Sequence, residues 1–252
     1  RPGGGDHIQQ FLGQSARRGP FRARIRLAVP ALVLALALAW PAGAPRAATP
    51  PFDTWEPEIR RFEQADSATA PPPSPIVFTG SSSIRMWETL AEDFAGITVL
   101  NRGFGGSEIA DATHFAERIV LKYHPKEVVL YAGDNDLNNG RTVEEVVAAF
   151  RAFTARVRGG QPDARIVYIA IKPSPSRWAL VDRIRAANAA ISRFCATQPN
   201  MAFVDVFTPM LTPAGRPRPE FFRPDSLHMT RAGYELWTSL VRPALAAPRA
   251  PV

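Results

Sequence analysis

From Ile76 onward the chain alternates short apolar runs with longer helical patterns, and this alternation constrains its fold more than any other feature. The runs cover residues 76–79, 98–101, 127–131, 165–171 and 201–206. They are rich in Val and Ile and apolar nearly throughout, as parallel strands covered on both faces must be. Helical patterns lie between them over 83–93, 108–123, 143–158 and 178–197, and residues 231–245 close the series. In the fourth, Leu180, Ile184, Ala187, Ile191 and Phe194 recur three or four apart and share one helical face. Five such units without a repeated period predict an α/β fold, a single three-layer α/β/α sandwich around a five-stranded parallel sheet. Sites in such folds form beyond the carboxyl ends of the strands, so a functional motif should follow a strand.

Three motifs meet that condition, and a fourth lies in a loop ahead of the last helical pattern. Gly80-Ser81-Ser82-Ser83 ends the first run and opens a helical pattern. A serine there is presented at the open end of the sheet beside free backbone N–H groups; it is equally suited to capping the helix. Asn101-Arg102-Gly103-Phe104-Gly105-Gly106 follows the second run. Its glycines permit close backbone approach, suiting an N–H aimed at an oxyanion or simply a tight turn, while dinucleotide and P-loop spacings are not met. Gly133-Asp134-Asn135-Asp136 ends the third run. Asn135 would be a neutral oxyanion donor of fixed geometry, and Asp134 with Asp136 offers a metal alternative without a matching His or Glu cluster. Asp225-Ser226-Leu227-His228 precedes the last helix, where a carboxylate three residues from an imidazole can fix its tautomer.

Together the four blocks resemble the SGNH (GDSL-like) hydrolase family, over residues 76–245 and in the family's order. The resemblance implies a flavodoxin-like sheet with Ser82 as nucleophile, His228 as general base and Asp225 as its orienter. It implies an oxyanion hole from the N–H groups of Ser82 and Gly106 and the Asn135 side chain, with no metal or organic cofactor. Ser81 stands where the family usually has aspartate, which weakens any substrate inference from the aspartate-bearing branch. The implied activity is a serine esterase acting on short-chain carboxylic esters, either O-acyl groups on a polar alcohol such as a carbohydrate or lysophospholipid-like esters. An O-acetyltransferase or an inactive binding module on the same scaffold are the alternatives.

Charge bears on partners. Of the net +7, residues 1–48 carry +6, from seven arginines (Arg1, Arg17, Arg18, Arg22, Arg24, Arg26, Arg46) against Asp6. The remaining +1 for residues 49–252 removes the main support for nucleic-acid binding. The cationic run ahead of the uncharged stretch 27–40 reads as a secretory leader, too short for the ~20 residues of a spanning helix. It would serve as a cleaved signal or an uncleaved membrane anchor, placing the chain in the periplasm or outside the cell. The organisation reads as a basic leader over 1–48, a Pro-rich linker with a short helix near 55–64 within 49–75, and a hydrolase domain over 76–248. The single cysteine, Cys195, lies in an apolar-periodic segment and reads as a buried thiol.

No insertion within 76–245 is long enough for a lid. Arg85, Arg102, Arg177 and Arg223, with Trp87, Phe104, Trp178, Phe221 and Phe222, lie near the motifs and would give a mixed rim suited to a short acyl group on a large polar alcohol, unless those aromatics are core.

Overall fold

Helix α1 (Glu56–Ala68) precedes the first strand and is anchored by Ile59, which is wholly buried. The computed structural model describes residues 52–246; the basic leader and its apolar stretch lie outside them. The segment 49–75, which reads as a linker, thus contributes a packed helix. Asp66 reaches Arg102 and Lys122, and Arg118 bridges Glu56 and Glu63. Among the described residues no helix is long and apolar enough to cross a membrane.

Strand β1 (Ile76–Gly80) leads into two short helices, α2 (Ser82–Arg85) and α3 (Leu90–Asp93), and then β2 (Val99–Gly103). The continuous helix expected over 83–93 is broken because Asn101 takes its carbonyls: its amide donates to Ile84 O at 2.7 Å and to Trp87 O at 3.4 Å. After β2 come α4 (Ile109–His114), α5 (Ala116–Ile119) and a short 3-10 turn, where one helix is expected. That turn ends at His124 in the left-handed region, φ 49°. Strand β3 (Glu127–Tyr131), α6 (Asp134–Asn138) and α7 (Val143–Gly160) follow. Helix α7 starts at a capping box in which Thr142 Oγ1 accepts from Glu145 N and Glu145 Oε2 from Thr142 N. Strand β4 (Arg165–Ile169) reaches α8 (Val181–Ala196) through a 3-10 turn, Pro175–Leu180. Strand β5 (Met201–Val204) and α9 (Arg231–Ala246) complete the fold.

The five strands are parallel in the order β2-β1-β3-β4-β5. Helices α4, α7 and α8 pack side by side, and α9 meets α2 through Tyr234–Ser83, the turn after it through Trp237–Trp87, and α3 through Arg231–Asp93. This is the three-layer sandwich that the alternation predicts. Val77, Phe78, Val128, Val129, Leu130, Ile166 and Val167 are fully buried, each worth ~1.5–3 kcal/mol relative to exposure. Cys195 is buried too, and burial pushes its thiol up to about 12.

In β1, Gly80 pairs with Gly103 of β2 on one side and Tyr131 of β3 on the other. The three strands therefore end level, at the point where the strand order reverses. There the loops after β1 and β3 diverge and leave a crevice. The blocks after β1, β2 and β3 all emerge at its mouth.

Candidate active site

The turn after β1 exists because of Gly80. Its φ is +116°, and a Cβ there would fall 2.0 Å from Tyr131 O. The chain reverses tightly, and Ser81 N donates to that same oxygen at 2.9 Å. Each of the three serines then faces a different environment. Ser81 is fully buried, holds the N-cap position of α2 without a side-chain cap bond, and its hydroxyl has no partner among the described residues. Ser83 is buried against Lys172. Ser82 is half-buried, and its Oγ lies 3.0 Å from His228 Nε2.

His228 is presented by a turn that Asp225 organises. One oxygen of Asp225 accepts the backbone N–H groups of Leu227 and His228, both at 2.9 Å, and the other lies 2.7 Å from His228 Nδ1. Ser226 takes the left-handed conformation this turn requires, φ 58°, and its carbonyl accepts from Ser176 N at 3.0 Å. The β4–α8 connection thus braces the turn. Burial acts to raise the Asp225 carboxyl, but the His228 ring and the two backbone donors outweigh it and hold it at about 2. Asp225 is therefore ionised wherever an imidazole works.

Gly106 is exposed after β2, and among the described residues nothing accepts its backbone N–H. A Cβ on Gly106 would lie 3.8 Å from the Asn135 side-chain nitrogen, so the two residues are neighbours. That nitrogen donates one hydrogen to Ser107 O at 3.2 Å, which orients the amide and leaves its second hydrogen available. Ser82, Gly106, Asn135, Asp225 and His228 all stand at the carboxyl ends of the strands or in the turn that closes over them.

A buried lysine lies beneath this group. Lys172, 1% exposed, donates to Ser83 Oγ at 3.1 Å, Tyr131 Oη at 2.9 Å and Asp134 Oδ2 at 3.1 Å. It joins the residue after Ser82 to the residue before Asn135. Burial pushes the Asp134 carboxyl upward, but the Lys172 charge and hydrogen bond, with the Tyr131 hydroxyl, bring it below its usual range. The sequence carried a signal for this: a lysine directly after the uncharged stretch 166–171, where a charge must find a partner.

Asp134 and Asp136 do not share a cation site. The former serves Lys172, and the latter accepts Ile109 N at 3.1 Å. Among the described residues no group of three or more His, Cys, Asp or Glu side chains is placed to hold a metal.

The expected rim is largely corrected. Trp87, Phe104, Phe221 and Phe222 are core. Arg102 is buried, turned toward Asp66 with Nε on Tyr123 Oη at 2.7 Å. Arg223 grips the Asp225–His228 turn, its Nε donating to Met229 O at 2.9 Å. Arg85 is exposed, while Arg177 and Trp178 are half-buried on the connection that braces that turn.

Comparison with known proteins bears on the family and the fold. The model of the GDSL-like lipase/acylhydrolase family matches residues 66–236. The chain is 29% identical over 168 residues to platelet-activating factor acetylhydrolase IB subunit alpha1 of Homo sapiens, covering 63% of this chain and 70% of that one. It superposes on a GDSL-like lipase from Bacteroides thetaiotaomicron with a TM-score of 0.65 at 21% identity, over 74% of this chain and 96% of that one. A carbohydrate esterase family 3 protein from Talaromyces cellulolyticus gives a TM-score of 0.55 at 18% identity, over 69% and 96%. With the strand order, the glycine block and the family match in agreement, the chain belongs to the GDSL-like lipase/acylhydrolase family and is an ester-bond hydrolase.

Proposed function

We propose that the chain hydrolyses short-chain carboxylic esters by an acyl-enzyme mechanism with Ser82, His228 and Asp225. The observation that carries this reading is the unbroken relay from Asp225 Oδ2 through the His228 ring to Ser82 Oγ, at 2.7 and 3.0 Å. Ionised Asp225 keeps the imidazole proton on Nδ1, which leaves Nε2 to accept from the Ser82 hydroxyl. As Oγ attacks the ester carbonyl, His228 takes its proton and the carbonyl electron pair moves onto oxygen. The Ser82 and Gly106 N–H groups and the Asn135 amide stabilise that oxyanion. Collapse breaks the bond to the alcohol, which leaves with the proton from the imidazolium. Water then attacks the acyl-Ser82, with His228 again as base, releasing the acid and the free hydroxyl.

The substrate class we propose is a short acyl group on a polar alcohol such as a carbohydrate. Asp225 and Gly106 are exposed, and Ser82 and His228 half-buried, so among the described residues the site opens to solvent rather than lying deep between apolar walls. Each further CH₂ gains ~0.8 kcal/mol only where such walls exist. The relatives named for acetylhydrolase and carbohydrate esterase activity point the same way. A p-nitrophenyl ester series from acetyl to palmitoyl tests it: kcat/KM should peak between acetyl and butyryl, and a peak at decanoyl or beyond would overturn it. We also infer export, from the cationic run and the apolar stretch 27–40. Full-length protein found soluble in the cytoplasm after cell fractionation would contradict it.

A further inference from the structure

Trp55 and Glu58 precede the segment matched by the family, which starts at residue 66. Nevertheless they grip the glycine block. Glu58 Oε2 accepts the backbone N–H of Gly105 at 3.1 Å. The Trp55 ring lies against Gly105 so closely that a Cβ there would come within 1.9 Å of it. Gly105 has φ +41°, so this position needs glycine both for its backbone angle and for the approach of the indole. Trp55 also meets the Phe104 ring edge-on, with centroids 5.8 Å apart. Further along the helix, Asp66 and Phe62 hold Arg102, the last residue but one of β2, by an ion pair and a cation–π contact at 5.0 Å.

These contacts act on consecutive peptide groups. The N–H of Phe104 is pinned to Gly80 O at 2.9 Å, beside the nucleophile turn. The next N–H, that of Gly105, is pinned to Glu58. The one after it, that of Gly106, has no acceptor among the described residues, and Gly106 itself is exposed beside Asn135. Two fixed peptides followed by one residue wedged by an indole leave the third little rotational freedom. A donor useful in a transition state has to be held in place before charge develops, and this is how it is held.

We propose that α1, with the Trp55 that precedes it, is a positioning element for catalysis: Glu58 and Trp55 fix the orientation of the Gly106 N–H toward the oxyanion. The inference rests on the reading of Gly106 and Asn135 as the oxyanion hole. It does not require Glu58 or Trp55 to touch substrate.

The experiment compares Glu58→Ala, Glu58→Gln, Trp55→Ala and Asn135→Ala in the full chain on p-nitrophenyl acetate, with thermal unfolding of each. Glu58→Ala should lower kcat by about tenfold or more with KM unchanged, since only the transition state uses the donor. Its unfolding midpoint should stay near the parent's. Glu58→Gln keeps a carbonyl acceptor and should restore most of kcat, which a general loss of packing would not predict. Trp55→Ala should show the same split between kcat and KM. An unchanged kcat in Glu58→Ala, a loss matched by unfolding at the assay temperature, or Gln failing as badly as Ala would overturn the proposal. The Asn135→Ala arm separates the two levels. If it lowers kcat while Glu58→Ala does not, the positioning role alone falls; if Asn135→Ala retains full kcat, the oxyanion reading itself falls and takes this inference with it.

Discussion

Lys172 Nζ lies 3.1 Å from Asp134 Oδ2 with both side chains buried, forming an ion pair between the segment that follows β4 and the start of α6. A buried pair need not stabilise a fold relative to an apolar one, but breaking it leaves an uncompensated charge, at a cost of ~3–5 kcal/mol. Lys172→Met should therefore lose about that much in urea unfolding, and Lys172→Met/Asp134→Asn should recover a large part of it. A single variant within about 1 kcal/mol of the parent would show that Asp134 simply takes up a proton at no cost.

The serine trio gives a sharper test of the nucleophile. Ser82→Ala should lower kcat at least ~10³-fold, because only its hydroxyl meets His228. Ser83→Ala removes one of three acceptors of Lys172 and should cost about 1–2 kcal/mol of stability with a small change in rate. Ser81→Ala discards a buried hydroxyl without a partner among the described residues, so stability should hold or rise. Comparable rate losses at Ser81 and Ser82 would refute the assignment.

Asn135 should behave as a transition-state donor. Asn135→Ala is expected to cost ~10²–10³-fold in kcat with KM nearly constant. Were KM to rise with kcat intact, the amide would instead be holding ground-state substrate.

The fold was legible because buried parallel strands leave continuous apolar runs, and helix α7 shows its start in Thr142 and Glu145. The candidate site was legible as four blocks, three of them directly after a strand and the fourth in the loop ahead of the last helix. Choosing Ser82 over Ser81 and Ser83 took the family resemblance, since adjacent residues in a turn do not declare which way they point. The same ambiguity explains the misread rim. Arg102 lies beside a glycine of the site in sequence, but successive side chains of a strand face opposite ways, and it turns to Asp66. The docking of α1 was hidden by the prolines around it, which signal a linker whether or not the helix between them packs. Ile59, whose burial shows the packing, shares with Phe62 the only large apolar side chains of an otherwise polar helix.

Asp136 makes stability depend on pH in a direction opposite to that of most carboxylates. Its Oδ1 accepts Ile109 N at 3.1 Å, while Oδ2 is buried without a partner among the described residues. Burial raises the carboxyl to about 8; the Glu108 charge adds to that, and the Ile109 donor opposes it. In the unfolded chain the same group titrates near ~3.9. Between these values the folded protein holds a proton that the unfolded chain has released. The contribution is fully present below the unfolded value, and stability declines as pH rises toward the folded one, by at most ~1.4 kcal/mol per unit. Asparagine cannot ionise and keeps an oxygen for Ile109. Asp136→Asn should thus match the parent near pH 4 and exceed it by roughly 1–3 kcal/mol near pH 8.5. Urea unfolding of both proteins at the two pH values measures this. A difference that is the same at both would mean that Asp136 does not titrate in that window, and that its second oxygen is satisfied as a carboxylate.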